Sequence, residues 1–365
     1  MTKDNVINLV RENIKNLIPY QSARRIGGHG TVCLNANESP IPVFFTLKKK
    51  EWNRYPECQP TELISAYANY VNIEYNNVLV TRGADEGIEL LIKAFCEPRK
   101  DVIVYCPPTY DMYQITANIF DVLARKIPTK KNIWQLDLIN IQLNLHSVKI
   151  IYICNPNNPT GTIILQNDII KLLNITAGKA LIVVDEAYIE FSLKDSMITY
   201  LKKYSHLVIL RTLSKAFSLA AIRCGFILAN KEVINILNKV ISPYPISIPV
   251  TDIACQSLES KSIELMKKRV LSNDLNRIWF MEELKTLPCT EKIFDSSANY
   301  VLVQFKMCEK IFKELWSKGI ILRNQNKKMY LKNCIRISIG TRTECIYVID
   351  ELKRFCLKNN IMRNK

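Results

Sequence analysis

The chain has few histidines and no closely spaced cysteines. Only three of its 365 residues are histidine, His29, His146 and His206, and each stands alone. Its twelve cysteines also occur singly, without a Cys-x-x-Cys spacing. Because zinc sites are built from closely spaced Cys and His ligands, we expect no metal site. So many unpaired thiols are typical of a reducing compartment, so we expect a cytoplasmic location.

Long apolar runs and flexible tethers are missing as well. No run approaches the roughly 18 apolar residues of a transmembrane helix. Residues 1–17 are polar and mixed in charge, without the apolar stretch of a secretory signal. We therefore expect no membrane partner. Since no Gly/Ser linker, Pro-rich tract or repeat interrupts the chain, we expect two domains that share a long interface.

Positive charge is in excess but is not concentrated. Lysine and arginine number 50 against 34 acidic residues, a formal net charge of +16. Such a charge is typical of many nucleic-acid-binding proteins. The densest basic run, however, is only Lys48-Lys49-Lys50. Because a nucleic-acid footprint clusters on one face, we expect small-molecule substrates and no nucleic-acid partner.

Short apolar runs alternate with helical segments between Val78 and Asn230. The runs are nearly continuously apolar and rich in β-branched residues, which is typical of strands buried on both faces of a mostly parallel sheet. The predicted strands comprise residues 78–80, 102–106, 149–154, 180–184, 207–210 and 225–229. A helix is predicted from Asp85-Glu86, because apolar residues follow at helical spacing and the acidic pair suits its positive end.

The pattern changes after Pro249, where a long helical region extends to about Leu284 and shorter strands and helices follow. We therefore predict an N-terminal arm (1–30), a large α/β domain with a mostly parallel mixed sheet covered by helices (31–250), and a smaller α+β domain (251–365).

Chemically active side chains follow the predicted strands. In an open α/β sheet, ligands bind beyond the carboxyl ends of the strands. Each of these residues alone is a weak signal, since a lone Asp there is usually a helix cap and a lone Lys is usually solvated. The set in one order, on one edge of one sheet, is a strong signal. It comprises Ala84, Asp85, Tyr110, Asn158, Asp185, Tyr188, Thr212, Ser214, Lys215 and Arg223.

This set matches the needs of pyridoxal phosphate. Lys215 can bind the cofactor covalently, a route to amine chemistry. The carboxylate of Asp185 can hold the pyridine nitrogen protonated, which makes the ring an electron sink. Tyr188 and Asn158 can donate hydrogen bonds to the phenolic oxygen of the ring.

The phosphate group has its own predicted ligands. Backbone N–H groups of residues 84–85 can hold it at a helix N-terminus. The hydroxyls of Thr212 and Ser214 and the guanidinium of Arg223 add further donors. Tyr110 can stack on the ring.

Several motifs resemble those of fold-type-I pyridoxal-phosphate-dependent aminotransferases. They are Asn-Pro-Asn-Asn-Pro-Thr-Gly at 155–161, Asp-Glu-Ala-Tyr at 185–188 and Thr-Leu-Ser-Lys-Ala-Phe at 212–217. Over essentially the whole chain the closer resemblance is to the bacterial histidinol-phosphate aminotransferases. It rests on residues 13–28, 54–60, 82–87, 105–110, 211–225, 319–325 and 336–342.

The resemblance implies a homodimer in which Tyr55 reaches the cofactor phosphate of the partner chain. It also implies that Arg336, Arg323 and Tyr20 bind the anionic end of the substrate. The expected reaction is reversible amino transfer from glutamate to imidazole-acetol phosphate, which gives histidinol phosphate and 2-oxoglutarate in histidine biosynthesis. The sequence around Arg336 independently supports its role in binding an anion. Apolar neighbours alternate around it in a predicted strand, and a charge there needs an anionic partner. The alternative for Arg336 is a structural ion pair.

Two other interpretations stay open. One is a related enzyme, an aromatic amino-acid aminotransferase or a phosphothreonine decarboxylase, because pocket residues rather than the fold set the substrate. The other is a basic DNA-binding regulator that has kept an inactive cofactor site. No helix-turn-helix precedes the enzyme-like pattern, which begins near Asn13, and this disfavours the regulator.

Overall fold

The computed structural model describes residues 6–22, 24–27, 30–49 and 51–362. Its strands are β1 (Val32–Cys33), β2 (Val78–Thr81), β3 (Val102–Tyr105), β4 (Leu123–Lys126), β5 (Val148–Cys154), β6 (Leu181–Asp185), β7 (Leu207–Thr212), β8 (Gly225–Ala229), β9 (Thr290–Phe294), β10 (Tyr300–Phe305), β11 (Ile320–Ile321), β12 (Arg323–Asn324) and β13 (Cys334–Ser338).

The α-helices are α1 (Glu12–Lys15), α2 (Thr61–Val71), α3 (Ala84–Phe95), α4 (Met112–Ile119), α5 (Leu138–Leu143), α6 (Gln166–Thr176), α7 (Lys231–Leu237), α8 (Ile248–Ser257), α9 (Ser260–Thr286), α10 (Cys308–Ser317) and α11 (Arg342–Lys358). Within the described ranges, no helix combines the length and the apolarity needed to cross a lipid bilayer.

Seven strands form the larger sheet, in the order β2-β8-β7-β6-β5-β3-β4. Strand β8 runs antiparallel to β2 and β7, and the other neighbours pair in parallel. The six predicted strands are all present, and the predicted α/β class is confirmed. Strand β4, Leu-Ala-Arg-Lys, was not predicted. It lies at the edge with its side chains partly or fully exposed, so it has no buried apolar run.

The larger sheet has a core on each face. Successive side chains of a strand point to opposite faces, so a strand covered on both sides is apolar throughout. In β2, for example, Val78 and Val80 pack into one cluster, whereas Leu79 packs into the other. This alternation explains the continuous apolar runs of the sequence.

A smaller antiparallel sheet, β12-β13-β10-β9, forms a separate core with α9, α10 and α11. A short segment from the N-terminal side joins this core, because β1 pairs in parallel with β11 and both Val32 and Leu34 are buried there. The helical region after Pro249 consists of two helices, α8 and α9, which are separated at Leu258 and Glu259. The proposed boundary at residue 250 lies inside α8, and the pairing of β1 adds residues 32–34 to the C-terminal core.

Candidate active site

A cavity of about 470 Å³ lies between the carboxyl ends of the central strands and the smaller sheet. All but one of the predicted site residues line it; Tyr55 does not. The lining residues among them are Tyr20, Ala84, Asp85, Tyr110, Asn158, Asp185, Tyr188, Thr212, Ser214, Lys215, Arg223, Arg323 and Arg336.

Lys215 follows β7 and extends into this cavity. Its Nζ donates to the carbonyl oxygen of Ala36 at 2.9 Å and lies 5.6 Å from the ring centroid of Tyr188. Burial, aided by the nearby charge of Arg336, lowers the pKa of the Lys215 amine from 10.5 to about 8. About a tenth of the amine is therefore neutral at pH 7, far more than for an ordinary lysine, which suits a nucleophile or a proton acceptor.

Asp185, the last residue of β6, is buried in the cavity wall. Its two carboxylate oxygens accept hydrogen bonds from the Tyr113 hydroxyl at 2.7 Å and from the Ala187 N–H at 3.1 Å. Burial raises the pKa of Asp185 to about 6, although these two hydrogen bonds act in the opposite direction. It makes no ion pair among the described residues, so a cationic ligand beside it would compensate its burial.

Tyr188 and Asn158 each keep a donor free. The Tyr188 oxygen accepts from the Asn37 side chain at 3.0 Å, so its own proton remains available. Asn158 accepts from Arg336 through Oδ1 at 2.5 Å, which leaves its amide N–H₂ without a partner in the described residues. Both can therefore donate to a ligand oxygen, as predicted for the phenolic oxygen of the cofactor.

One end of the cavity combines a helix N-terminus with hydroxyls. The N-terminus of α3 follows Gly83, which has a φ of +78°. A Cβ on Gly225 would lie 2.5 Å from the Gly83 carbonyl carbon, so glycine allows β8 to approach the helix start. Thr212 Oγ1 and Ser214 Oγ lie 2.9 Å apart beside it. These groups can hold a phosphate.

Charged and aromatic residues flank the same end. Arg223 lies 3.4 Å from a carboxylate oxygen of Asp85, and the Tyr110 hydroxyl donates to the other at 3.0 Å. The ring of Tyr110 meets Tyr113 edge-on, at 5.8 Å between centroids. Arg223 therefore lies close enough to act on an anion at the start of α3.

The opposite end carries two arginines without carboxylate partners. Arg336 donates to the Asn35 carbonyl at 2.7 Å in addition to Asn158, and Arg323 donates to the Gln21 carbonyl at 2.8 Å. Arg336 Nε and Arg323 Nη1 are buried and have no partner among the described residues. The alternative of a structural ion pair for Arg336 thus finds no support there. Unpaired buried guanidinium N–H groups call for an anionic ligand.

Tyr20 lies beside these arginines. Burial raises the pKa of its hydroxyl, against the opposing effect of the Arg323 charge. The phenol therefore stays protonated and can donate a hydrogen bond to an anion at this end.

Tyr55 lies apart from the cavity of its own chain. Its side chain is 79% exposed, and its ring stacks on Tyr244 at 4.3 Å between centroids. Large exposed apolar side chains accompany it, among them Phe44 and Trp52. A single chain does not test whether Tyr55 serves a second copy, so that role stays a prediction.

Several residues of the site were not predicted from the sequence. Tyr113 follows Tyr110 by three residues, a helical spacing that could have suggested it as a partner for Asp185. Asn35 and Asn37 come from the segment after β1, far from the other site residues in sequence. Asn37 also donates its backbone N–H to Ser338 Oγ at 2.8 Å. Only the packing of this segment between the two sheets brings it to Tyr188.

A buried charge network supports the strand ends behind the cavity. Arg211 is 2% exposed and pairs with Glu186 at 2.8 Å and with Glu190 at 3.2 Å. These residues neighbour Asp185 and Thr212 in sequence, so the network joins β6 and β7 where both carry site residues. Two carboxylates share one guanidinium, burial raises the pKa of Glu190, and Glu190 Oε2 has no partner among the described residues. None of the three residues lines the cavity.

The chain is similar both to a known family and to individual known proteins. The family model described as aminotransferase class I and II matches residues 30–352. The histidinol-phosphate aminotransferase of Buchnera aphidicola subsp. Acyrthosiphon pisum (strain Tuc7) is 67% identical, over 98% of this chain and 97% of its own.

Two solved structures share the fold over nearly their whole length. The histidinol-phosphate aminotransferase from Clostridium acetobutylicum has a TM-score of 0.82 at 26% identity, over 90% of this chain and 99% of its own. The enzyme of the same name from Sinorhizobium meliloti, in complex with pyridoxal-5'-phosphate, has a TM-score of 0.85 at 19% identity. That similarity covers 96% of this chain and 98% of the other.

Proposed function

The chain belongs to the class I and II aminotransferases and, within them, to the histidinol-phosphate aminotransferases, and from this premise we propose its reaction and its site residues. The reaction is reversible amino transfer from glutamate to imidazole-acetol phosphate, which gives histidinol phosphate and 2-oxoglutarate. One observation carries the proposal. A single cavity holds Lys215 and Asp185 together with two arginines that keep unpartnered buried N–H groups.

Pyridoxal phosphate fits the first of these ends. Asp185 is a buried carboxylate without a cationic partner, which a protonated pyridine nitrogen would compensate. The free donors of Tyr188 and Asn158 suit the phenolic oxygen, and the start of α3 with Thr212, Ser214 and Arg223 suits the phosphate. When bound, this group supplies an electron-accepting ring that stabilises negative charge on the substrate Cα.

The residues of the chain have distinct tasks in the reaction. Lys215 would hold the cofactor through its amine, and when that amine is free it would take up and return the proton of the substrate Cα. A pKa of about 8 makes its amine an effective proton acceptor near neutral pH. Asp185 keeps the ring nitrogen protonated, and Arg336, Arg323 and Tyr20 orient the anionic end of each substrate.

We further propose that two copies of the chain form a homodimer. Tyr55 is 79% exposed, and Trp52, three residues before it, is 58% exposed. Exposed aromatic rings of this kind are enriched at protein interfaces. We infer that Tyr55 crosses to the cofactor phosphate of the second chain. The twelve cysteines are all free, which supports a reducing, cytoplasmic location.

The proposed reaction is tested by incubating the purified protein with histidinol phosphate and 2-oxoglutarate and following the glutamate formed. Tyrosine, phenylalanine and phosphothreonine serve as competing substrates. Histidinol phosphate should have the highest kcat/KM. Faster amino transfer from an aromatic amino acid, or CO₂ release from phosphothreonine, would replace the proposed substrate with one of the related activities.

A further inference from the structure

Lys328 is a third cation at the substrate end of the cavity. It lies in the loop between β12 and β13 and lines the same cavity as Arg323 and Arg336. Its Nζ donates to the Thr109 carbonyl at 2.8 Å and lies 3.0 Å from a carboxylate oxygen of Asp111. The side chain is 23% exposed, so its ammonium is largely withdrawn from water.

The charges that line the cavity do not balance at this end. Elsewhere in the cavity the two arginines have carboxylate partners, since Arg24 lies 3.2 Å from Glu38 and Arg223 lies 3.4 Å from Asp85, and Lys215 donates to a carbonyl oxygen. At the substrate end the three cations Arg323, Arg336 and Lys328 face one carboxylate among the described lining residues, that of Asp111. The substrate end therefore carries an excess of two positive charges.

This excess matches one of the two proposed substrates better than the other. A phosphate monoester carries close to two negative charges at pH 7, because its second pKa is about 6. A carboxylate of glutamate at the same end carries one. The two positive charges of Arg323 and Arg336 would balance the phosphate if Asp111 were uncharged. Because Asp111 carries a negative charge, a third cation is needed, and Lys328 supplies it.

We propose that Lys328 is a further substrate-binding residue, which favours the phosphate of histidinol phosphate over the carboxylate of glutamate. The inference rests on the proposed function, since it assumes that both substrates place an anion beside Arg323 and Arg336. Lys328 acts through charge at short range. Burial lowers the pKa of its ammonium while Asp111 opposes that shift, so the pair with Asp111 helps to keep it charged.

A structural role makes a different prediction. Lys328 also joins the loop of the smaller sheet to the segment after β3, through Thr109 and Asp111. If it acted only as a clamp between these segments, its loss would impair both half-reactions equally. The comparison between the two substrates therefore separates the two roles.

The test uses Lys328→Met and the matched control Lys327→Met in the holoenzyme. Lys327 is the exposed neighbour, does not line the cavity and carries the same charge. In Lys328→Met, kcat/KM for histidinol phosphate should fall about tenfold or more, as expected for a lost charge-assisted hydrogen bond. For glutamate it should fall less than about threefold. Lys328→Arg keeps the positive charge, so most of the preference for histidinol phosphate over glutamate should remain.

Inhibition by inorganic phosphate gives a second readout, and its inhibition constant should rise in Lys328→Met but not in Lys327→Met. Equal losses for both substrates, or no loss, would overturn the inference. If Lys328→Met fails to fold, as judged by circular dichroism, Lys328→Gln replaces it because its amide can still donate to the Thr109 carbonyl. A wild-type protein that does not turn over histidinol phosphate would instead refute the proposed function.

Discussion

The two ends of the cavity differ in how their polar groups are satisfied. At the proposed cofactor end, the groups around the phosphate site pair with one another, since Thr212 bonds Ser214 and Arg223 has Asp85. The groups that would face the cofactor ring, such as Asp185, have no charged partner among the described residues. At the proposed substrate end, Arg323 and Arg336 donate only to uncharged oxygens and keep unpartnered buried N–H groups. Buried polar groups are normally paired, so this end is completed by its ligand.

The difference follows from what each end binds. A resident cofactor needs a rigid frame, which residues directly after the strands of one sheet provide. The substrate end must accept two different anions in turn, and its residues come from the smaller sheet, from the N-terminal segment that carries Tyr20 and from the segment after β3 that carries Asp111.

Lys215→Ala should abolish activity while leaving the fold intact. The amine makes one hydrogen bond, to Ala36, so its loss removes little stabilisation. Turnover should fall by roughly 10⁴-fold or more, because both attachment and proton transfer are lost. The visible absorbance of the covalently attached cofactor should disappear, as measured by spectroscopy. Normal turnover in this variant would falsify the assignment.

Asp185→Asn keeps the shape of the side chain but removes its charge. Without that charge the ring nitrogen is not held protonated, so kcat should fall on the order of 10³-fold, as expected for a lost preorganised charge. Steady-state kinetics at saturating cofactor measure this. A variant that kept more than about a tenth of the rate, a loss under ~1.4 kcal/mol, would contradict the assigned role.

Arg336→Lys tests whether one residue serves both anions. Lysine cannot donate to Asn158 and Asn35 in the planar geometry of a guanidinium and still bind an anion in a bidentate manner. The KM values for glutamate and for histidinol phosphate should both rise, by roughly tenfold each. A rise for only one substrate would show that the anions use different sites, and Arg323 would then be the candidate for the other.

Mixed dimers can show whether the cofactor end of one chain is completed by Tyr55 of the other chain. Tyr55→Phe and Lys215→Ala chains are mixed after partial unfolding and reassembly. In a mixed dimer one site would carry both changes and the other neither. With random pairing of equal amounts, up to roughly a quarter of wild-type activity should return, since half of the dimers are mixed. Activity no higher than the average of the parents, with mixed dimers demonstrably present, would place Tyr55 in its own chain's function.

The last effect is on stability rather than on activity, and it concerns the cofactor-free protein. Its Asp185 has a pKa raised to about 6, from an ordinary value of 3.8. The folded state therefore binds more protons than the unfolded state between these values, and stability falls as pH rises through them. This contribution, up to ~3 kcal/mol between pH 4 and pH 7, should be missing in Asp185→Asn. Urea unfolding at both pH values measures it, and identical pH dependence in the two proteins would refute it.

The sequence alone was sufficient for the central sheet and for most of the residues that line the cavity. Strands buried on both faces leave continuous apolar runs, and the residues directly after them lie at one edge of the sheet. This local rule identified Asp185, Lys215 and their neighbours. The same rule did not reveal β4, because an exposed edge strand buries too little to need an apolar run.

The contacts between these strand-end residues and the rest of the site depend on the tertiary structure. Asn37 meets Tyr188 across 151 residues of sequence, Arg336 meets Asn158 across 178, and Lys328 meets Thr109 across 219. No local period encodes such pairs, because they depend on how the smaller sheet packs against the larger. The charge balance at the substrate end, with three cations and one carboxylate, arises only from that packing.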